Sequence, residues 1–113
     1  LYLFENPALG GTAFYRPRQP PEETDALMAG LTRHGHAALR EELGPTPAYM
    51  TRANRWFESL AVVPPRFNRA IFYRGDLFHT SHIAAPDLLR RDPRQGRLTL
   101  NAFFVCRPTA SPG

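Results

Sequence analysis

The sequence predicts a mainly β domain with a helical insertion, in a barrel or sandwich architecture. Two observations carry this. Short apolar and alternating runs recur between proline and glycine punctuation at both ends of the chain. Between them, from about residue 21 to 55, the pattern changes to helical spacing. At 113 residues, with 42% hydrophobic and 21% charged residues, the chain has the size of a single domain.

Leu1 to Phe4 reads as the end of a strand, followed by a loop punctuated at Glu5-Asn6-Pro7 and Gly10-Gly11. Opening inside an apolar run without an initiator Met predicts a C-terminal fragment of a larger domain whose upstream half is missing. Thr12 to Arg16 resumes a strand that Pro17 stops. Pro21 suits a first helical turn, Glu22, Glu23 and Asp25 suit the positive end of its dipole, and Leu27 and Leu31 share a face. A second helix is expected over about His36 to Leu43, ended by Gly44 and Pro45. A third is expected from Thr46-Pro47 to about Arg55.

Four further segments complete the layout. Trp56 to Val63 reads as a strand stopped by Pro64-Pro65. Ala70 to Tyr73 is a short continuous apolar run, as in a strand buried on both faces, and Gly75-Asp76 turns it. Leu77 to Ile83 is another strand, and Ala84 to Gly96 a polar connection with a helical turn near Asp87 to Arg90. Arg97 to Val105 is the last strand, with Pro108 to Gly113 as a tail.

Composition excludes several function classes. No window approaches the roughly 20 uninterrupted apolar residues of a membrane helix, so no membrane partner is expected. Cys106 is the single cysteine, which rules out an internal disulfide and fits a reducing, cytoplasmic location. All 14 basic residues are arginine, against six Glu and four Asp, for a net charge of +4. Those arginines are spread from Arg16 to Arg107, and the densest group, Arg90 to Arg97, is interrupted by Asp92 and Pro93. Without a contiguous basic face, no nucleic-acid partner is expected.

The chemistry-bearing residues lie in the C-terminal strands. Arg97, Thr99 and Asn101 alternate with Leu98, Leu100 and Ala102, so three polar groups share one face. That face either meets solvent or lines a cavity. It turns apolar at Phe103 and Val105, and Arg-x-Thr sets a guanidinium fork and a hydroxyl about 7 Å apart, a receptor for a carboxylate. His79 shares a face with Leu77, Ser81 and Ile83, an inward pattern, whereas His82 falls on the other face with Phe78 and Thr80. A lone histidine on an apolar face is either a hydrogen-bonded core residue or a ligand. His34-Gly35-His36 lies in a link with no acidic or thiol companion and reads as surface loop. Cys106 has no histidine or CxxC partner and reads as a small strand residue, and Gly10-Gly11-Thr12 runs into a strand instead of cradling a phosphate.

Three stretches together resemble the 2-oxoglutarate- and Fe(II)-dependent oxygenases of the prolyl-hydroxylase or phytanoyl-CoA-hydroxylase kind, closest to an uncharacterised bacterial branch. They are Leu1-Tyr2-Leu3 with Gly10-Gly11-Thr12-Ala13-Phe14, Asn68 to His79, and Gly96 to Asn101 with Phe103-Phe104. The resemblance implies a double-stranded β-helix, a jelly-roll of cupin-like form, enclosing Fe(II) in a facial triad. It implies His79 as the distal metal ligand, and Arg97 with Thr99 as the cofactor-binding pair that holds the far carboxylate of 2-oxoglutarate. The implied reaction is hydroxylation of a small-molecule or peptide substrate. No His-x-Asp or His-x-Glu occurs in these 113 residues, so the other half of the metal site is expected upstream and the isolated chain is expected to be inert. The alternative is a non-catalytic cupin-like binding module that uses the same cavity without a metal. Absent strands also predict that the isolated chain is insoluble or oligomeric.

Overall fold

The computed structural model describes residues 1–40 and 48–110. Its centre is a three-stranded antiparallel sheet of β1 (Gly11–Pro17), β2 (Phe57–Val63) and β3 (Phe78–His82), ordered β2-β1-β3. One helix, α1 (Pro21–His34), lies between β1 and β2 in sequence. The described chain is therefore a small mixed arrangement of an antiparallel sheet and one helix.

β1 is central because both of its edges find partners. Ala13 faces Val62 on one side and Thr80 on the other, and Phe14 faces Ala61 and His79. The register with β2 slips after Phe14: Tyr15 pairs with Ser59, leaving Leu60 as the extra residue of a bulge. Alternation along β1 then sorts the two faces of the sheet. Ala13 and Tyr15 turn to one side, where they pack with Leu27 of α1 and Phe57, and with the half-buried Met50, Trp56 and Phe78. The Tyr15 hydroxyl donates to the Met50 carbonyl at 3.2 Å. Burying Leu27 stabilises this layer by about 2 kcal/mol.

α1 starts and stops where its sequence signals fall. Pro21 occupies the first turn with Glu22 and Glu23, and Arg33 and His34 occupy the last. Gly35 terminates the helix at φ 73°, its N–H returning to the Leu31 carbonyl at 2.9 Å. Leu27 is buried, while Leu31 is only half-buried.

The opposite face of the sheet meets a second, thinner layer built around Leu1 to Phe4. Leu3 N–H donates to the Leu98 carbonyl, Leu1 and Leu100 exchange bonds, and Tyr2 pairs antiparallel with Thr99. On its other side Tyr2 N–H donates to the Arg69 carbonyl, and the Tyr2 carbonyl accepts from Asn68 N–H. Two residues thus oppose one, and Asn68 takes φ 62° to make the bend, a conformation asparagine tolerates. Tyr2, Phe4 and Leu9 form the buried cluster of this layer, with Ile71 packed against it.

Several predicted elements do not form. Ala70 to Tyr73 is not a strand: the preceding Asn68 and Arg69 bond to Tyr2, but no neighbour among the described residues continues the ladder, and Phe72 is 86% exposed. The last strand reaches only from Leu98 to Leu100 as a ladder, because Leu1 to Leu3 is its only partner among the described residues. The predicted third helix is absent over 48–55. Asn54 there accepts from both Trp56 N–H and Phe57 N–H through its side chain, a local turn that competes with helix and leads into β2. Within the described residues the second helix shows a 3-10 turn at His36–Leu39 followed by a helical Arg40, with Glu41 to Leu43 outside them, and the helical turn near Asp87 is Pro86–Leu88. The remaining signals, Leu43 to Pro47, lie outside the described residues.

Candidate functional site

The facing sides of the two layers carry the candidate residues. Thr12 and Phe14 of β1 and His79 of β3 share the sheet face away from α1, and Tyr2 reaches that face from the thin layer. The strand pattern at Arg97 to Leu100 resolves in favour of an inward polar face. Arg97 and Thr99 are half-buried, whereas Leu98 and Leu100 are 41% and 58% exposed. Asn101, expected on the same face, is exposed, since the ladder has ended by that point.

Arg97 is anchored by backbone. Its Nε donates to the Gly10 carbonyl at 3.0 Å and its Nη2 to the Gly11 carbonyl at 2.9 Å, and its guanidinium lies over the Phe4 ring at 5.7 Å. This fixes the fork and leaves Nη1 without a partner among the described residues. Burial pushes the guanidinium pKa down, opposed by the pull of the Tyr2 and Tyr49 phenols.

Beside it lies a pair that the sequence pattern does not single out. The Tyr2 hydroxyl and Thr12 Oγ1 are 2.6 Å apart, and Tyr2 is also the residue bridged to Thr99. One hydroxyl donates to the other, so the acceptor's own O–H remains available. Arg97, Thr99, Tyr2 and Thr12 thus supply hydrogen-bond donors, a set suited to an anion such as a carboxylate. The alternation Leu1-Tyr2-Leu3 carries a signal for Tyr2, but which layer its side chain meets is not encoded locally.

His79 sits farther along β1, opposite Phe14 rather than Gly11. Three residues of strand place it about 10 Å from the Arg97 end. The sequence pattern sets it inward with Ile83. It does lie on the face away from α1, but its side chain is exposed, because only Phe14 and Tyr73 stack near it, at 6.3 and 4.7 Å between ring centres. Its Nδ1 is 2.7 Å from the Leu77 carbonyl. A carbonyl can only accept, so Nδ1 carries the proton and, in the neutral ring, Nε2 keeps its lone pair. That is the orientation a metal-ligating imidazole takes.

The fit differs at the two ends of this face. The donor set at Arg97 suits a carboxylate of 2-oxoglutarate. The residues at His79 do not make an iron site by themselves, since no group of three His, Cys, Asp or Glu comes together among the described residues. His82 turns to the other face and has a buried Nδ1 without a partner. His34 and His36 stay at the end of α1, and Cys106 is exposed. A cavity of about 460 Å³ is lined by residues including Phe4, Leu9, Phe67 and Arg94; His79, Arg97 and Thr99 are not among them. No helix among the described residues is long and apolar enough to cross a membrane.

No curated protein and no solved structure matches this sequence. Residues 1–104 match the model of a family of unknown function (DUF6445), and the chain belongs to that family.

Proposed function

We propose that this chain is part of a 2-oxoglutarate- and Fe(II)-dependent oxygenase-like protein, cytoplasmic, in which it supplies the end of the site that holds the co-substrate. The observation that carries the reading is the half-buried polar face of Arg97 and Thr99 turned toward β1, with the Tyr2 and Thr12 hydroxyls beside it. Two layers whose facing sides carry polar groups support a portion of a double-stranded β-helix. In this reading Arg97 pairs with the far carboxylate of 2-oxoglutarate, Thr99 adds a hydroxyl, and the dicarboxylate extends along β1 toward His79. His79, with its Nδ1 tied to the Leu77 carbonyl, offers Nε2 to a metal. Iron would supply the oxygen chemistry, and its two other ligands do not come together with His79 among the described residues. The hydroxylated substrate would be a small molecule or a peptide.

A second reading, a cupin-like module that binds a small carboxylic acid without a metal, is favoured by the isolation of His79 from other metal-ligating side chains among the described residues. Titrating the protein with 2-oxoglutarate in the absence of oxygen, with and without Fe(II), separates the two. The oxygenase-like reading expects binding that Fe(II) strengthens, that His79→Ala makes indifferent to iron, and that Arg97→Gln abolishes. Binding that ignores iron and His79 but still needs Arg97 supports the metal-free module. No binding, or binding unchanged in Arg97→Gln, overturns both.

A further inference from the structure

We propose that Tyr73 is a positioning residue for His79. Braced by Phe14, its ring holds the imidazole in the orientation that ties Nδ1 to the Leu77 carbonyl and presents the Nε2 lone pair as an acceptor. The inference deepens the reading above, because it concerns the same imidazole, and rests on it only for what Nε2 would meet. Three rings from three segments come together here. Phe14 of β1 and Tyr73 are 4.9 Å apart between ring centres at 76°, and Tyr73 and His79 of β3 are 4.7 Å apart at 64°. Both pairs have the edge-to-face geometry in which aromatic rings attract. Phe14 and His79 are farther apart, at 6.3 Å, so Tyr73 is the ring in closest touch with the imidazole.

The three rings are not equally fixed, and this gives the cluster a direction. Phe14 is 8% exposed and belongs to the central strand, so it is the immobile base. Tyr73 belongs to no strand, but Ile71 two residues earlier packs against Tyr2, Phe4 and Leu9, while Phe72 between them is 86% exposed. That alternation turns Ile71 and Tyr73 to the same side, and the thin layer secures the segment that carries Tyr73. His79 is the ring that needs support. Its side chain is exposed, and the terminal torsion of a histidine has a broad preference, so its own rotamer does not orient the imidazole. Water competes for the 2.7 Å bond between Nδ1 and the Leu77 carbonyl. The contact with Tyr73 adds a second, directional restraint on the same ring.

Nuclear magnetic resonance of the imidazole nitrogens in the metal-free protein tests this, with Tyr73→Leu, Tyr73→Phe and, to identify the signals, His79→Gln. In the parent and in Tyr73→Phe the neutral His79 ring is expected to carry its proton on Nδ1, with cross-relaxation between its ring protons and those of residue 73. In Tyr73→Leu the ratio of the Nδ1-protonated to the Nε2-protonated ring is expected to fall about fivefold, with unchanged circular dichroism. Should Tyr73→Leu not fold, the parent decides: an Nδ1-protonated ring in contact with Tyr73 supports the proposal, and the lack of either feature overturns it. An unchanged ratio in Tyr73→Leu, or a loss of the same size in Tyr73→Phe, also overturns it. The Fe(II) titration above is read separately. A Tyr73-dependent ring in a protein whose 2-oxoglutarate binding ignores iron sinks the oxygenase reading and upholds the positioning, whereas iron-strengthened binding with an unchanged ratio does the reverse.

Discussion

The hydroxyls of Tyr2 and Thr12 lie 2.6 Å apart although one belongs to the thin layer and the other to the central sheet. This bond joins the layers at a part-buried point, next to the bridge between Tyr2 and Thr99. Tyr2→Phe and Thr12→Val each remove it while keeping nearly the same shape. Each is expected to destabilise the protein by about 1 kcal/mol, with the double variant costing little more than either single one. Chemical denaturation of the four proteins gives the coupling. Strict additivity would show that the two hydroxyls do not act on each other in solution.

Arg97 has a structural task before any ligand is considered. Its Nε and Nη2 span two successive carbonyls at Gly10 and Gly11, a geometry that requires the planar fork. Arg97→Lys keeps the charge and loses the fork. A stability loss of about 1–3 kcal/mol is expected, comparable with that of Arg97→Gln, together with weaker 2-oxoglutarate binding in Arg97→Lys. Equal stability of Arg97→Lys and the parent protein would show that charge alone suffices.

Where the chain turns is more legible in this sequence than what it pairs with. Pro17, Pro21 and Gly35 bound β1 and α1 because their effects are local, acting through a fixed φ, a missing donor or a tolerated positive φ. The face of Arg97 and Thr99 is legible for the same reason, since alternation needs no knowledge of the partner. Ala70 to Tyr73 is not, because an apolar run becomes a strand only if another strand lies beside it, and beyond Arg69 none does among the described residues. At 48–55 the Asn54 turn prevails over a helix start signal, a competition that propensity alone does not decide. The Tyr2–Thr12 contact depends on how two layers stack, which no local pattern records.

Gly10 and Gly11 are both confined by neighbouring backbone. Gly10 has φ 87°, and an added Cβ would stand 2.0 Å from the His82 carbonyl oxygen; at Gly11 it would stand 1.9 Å from that of Val63. Neither oxygen can move without breaking the sheet, since β2 and β3 are held to β1 at these ends. Gly10→Ala and Gly11→Ala are each expected to cost about 3 kcal/mol or more, or to prevent folding. Gly75→Ala is the control, because open space surrounds that position. Thermal melts of the three variants decide it, and a Gly11→Ala protein as stable as Gly75→Ala would contradict the close approach.

Alkaline pH should loosen the helix-covered face through Tyr15. Burial raises its phenol above the ordinary value of 10.0, because the ionised form would lose water on entering the core. Since the folded pKa lies above the unfolded one, the folded state holds the proton longer. The stability this contributes is therefore complete below pH 10.0, and it declines as pH rises past 10.0 and through the folded value. Tyr15→Phe removes the titration together with the bond to the Met50 carbonyl. The variant is expected to be the less stable protein at pH 7, by about 1 kcal/mol, and to lose less stability than the parent between about pH 9 and 11. Denaturant melts at about pH 7, 9, 10 and 11 measure both slopes, and parallel curves for parent and variant would remove Tyr15 as the source of the alkaline loss.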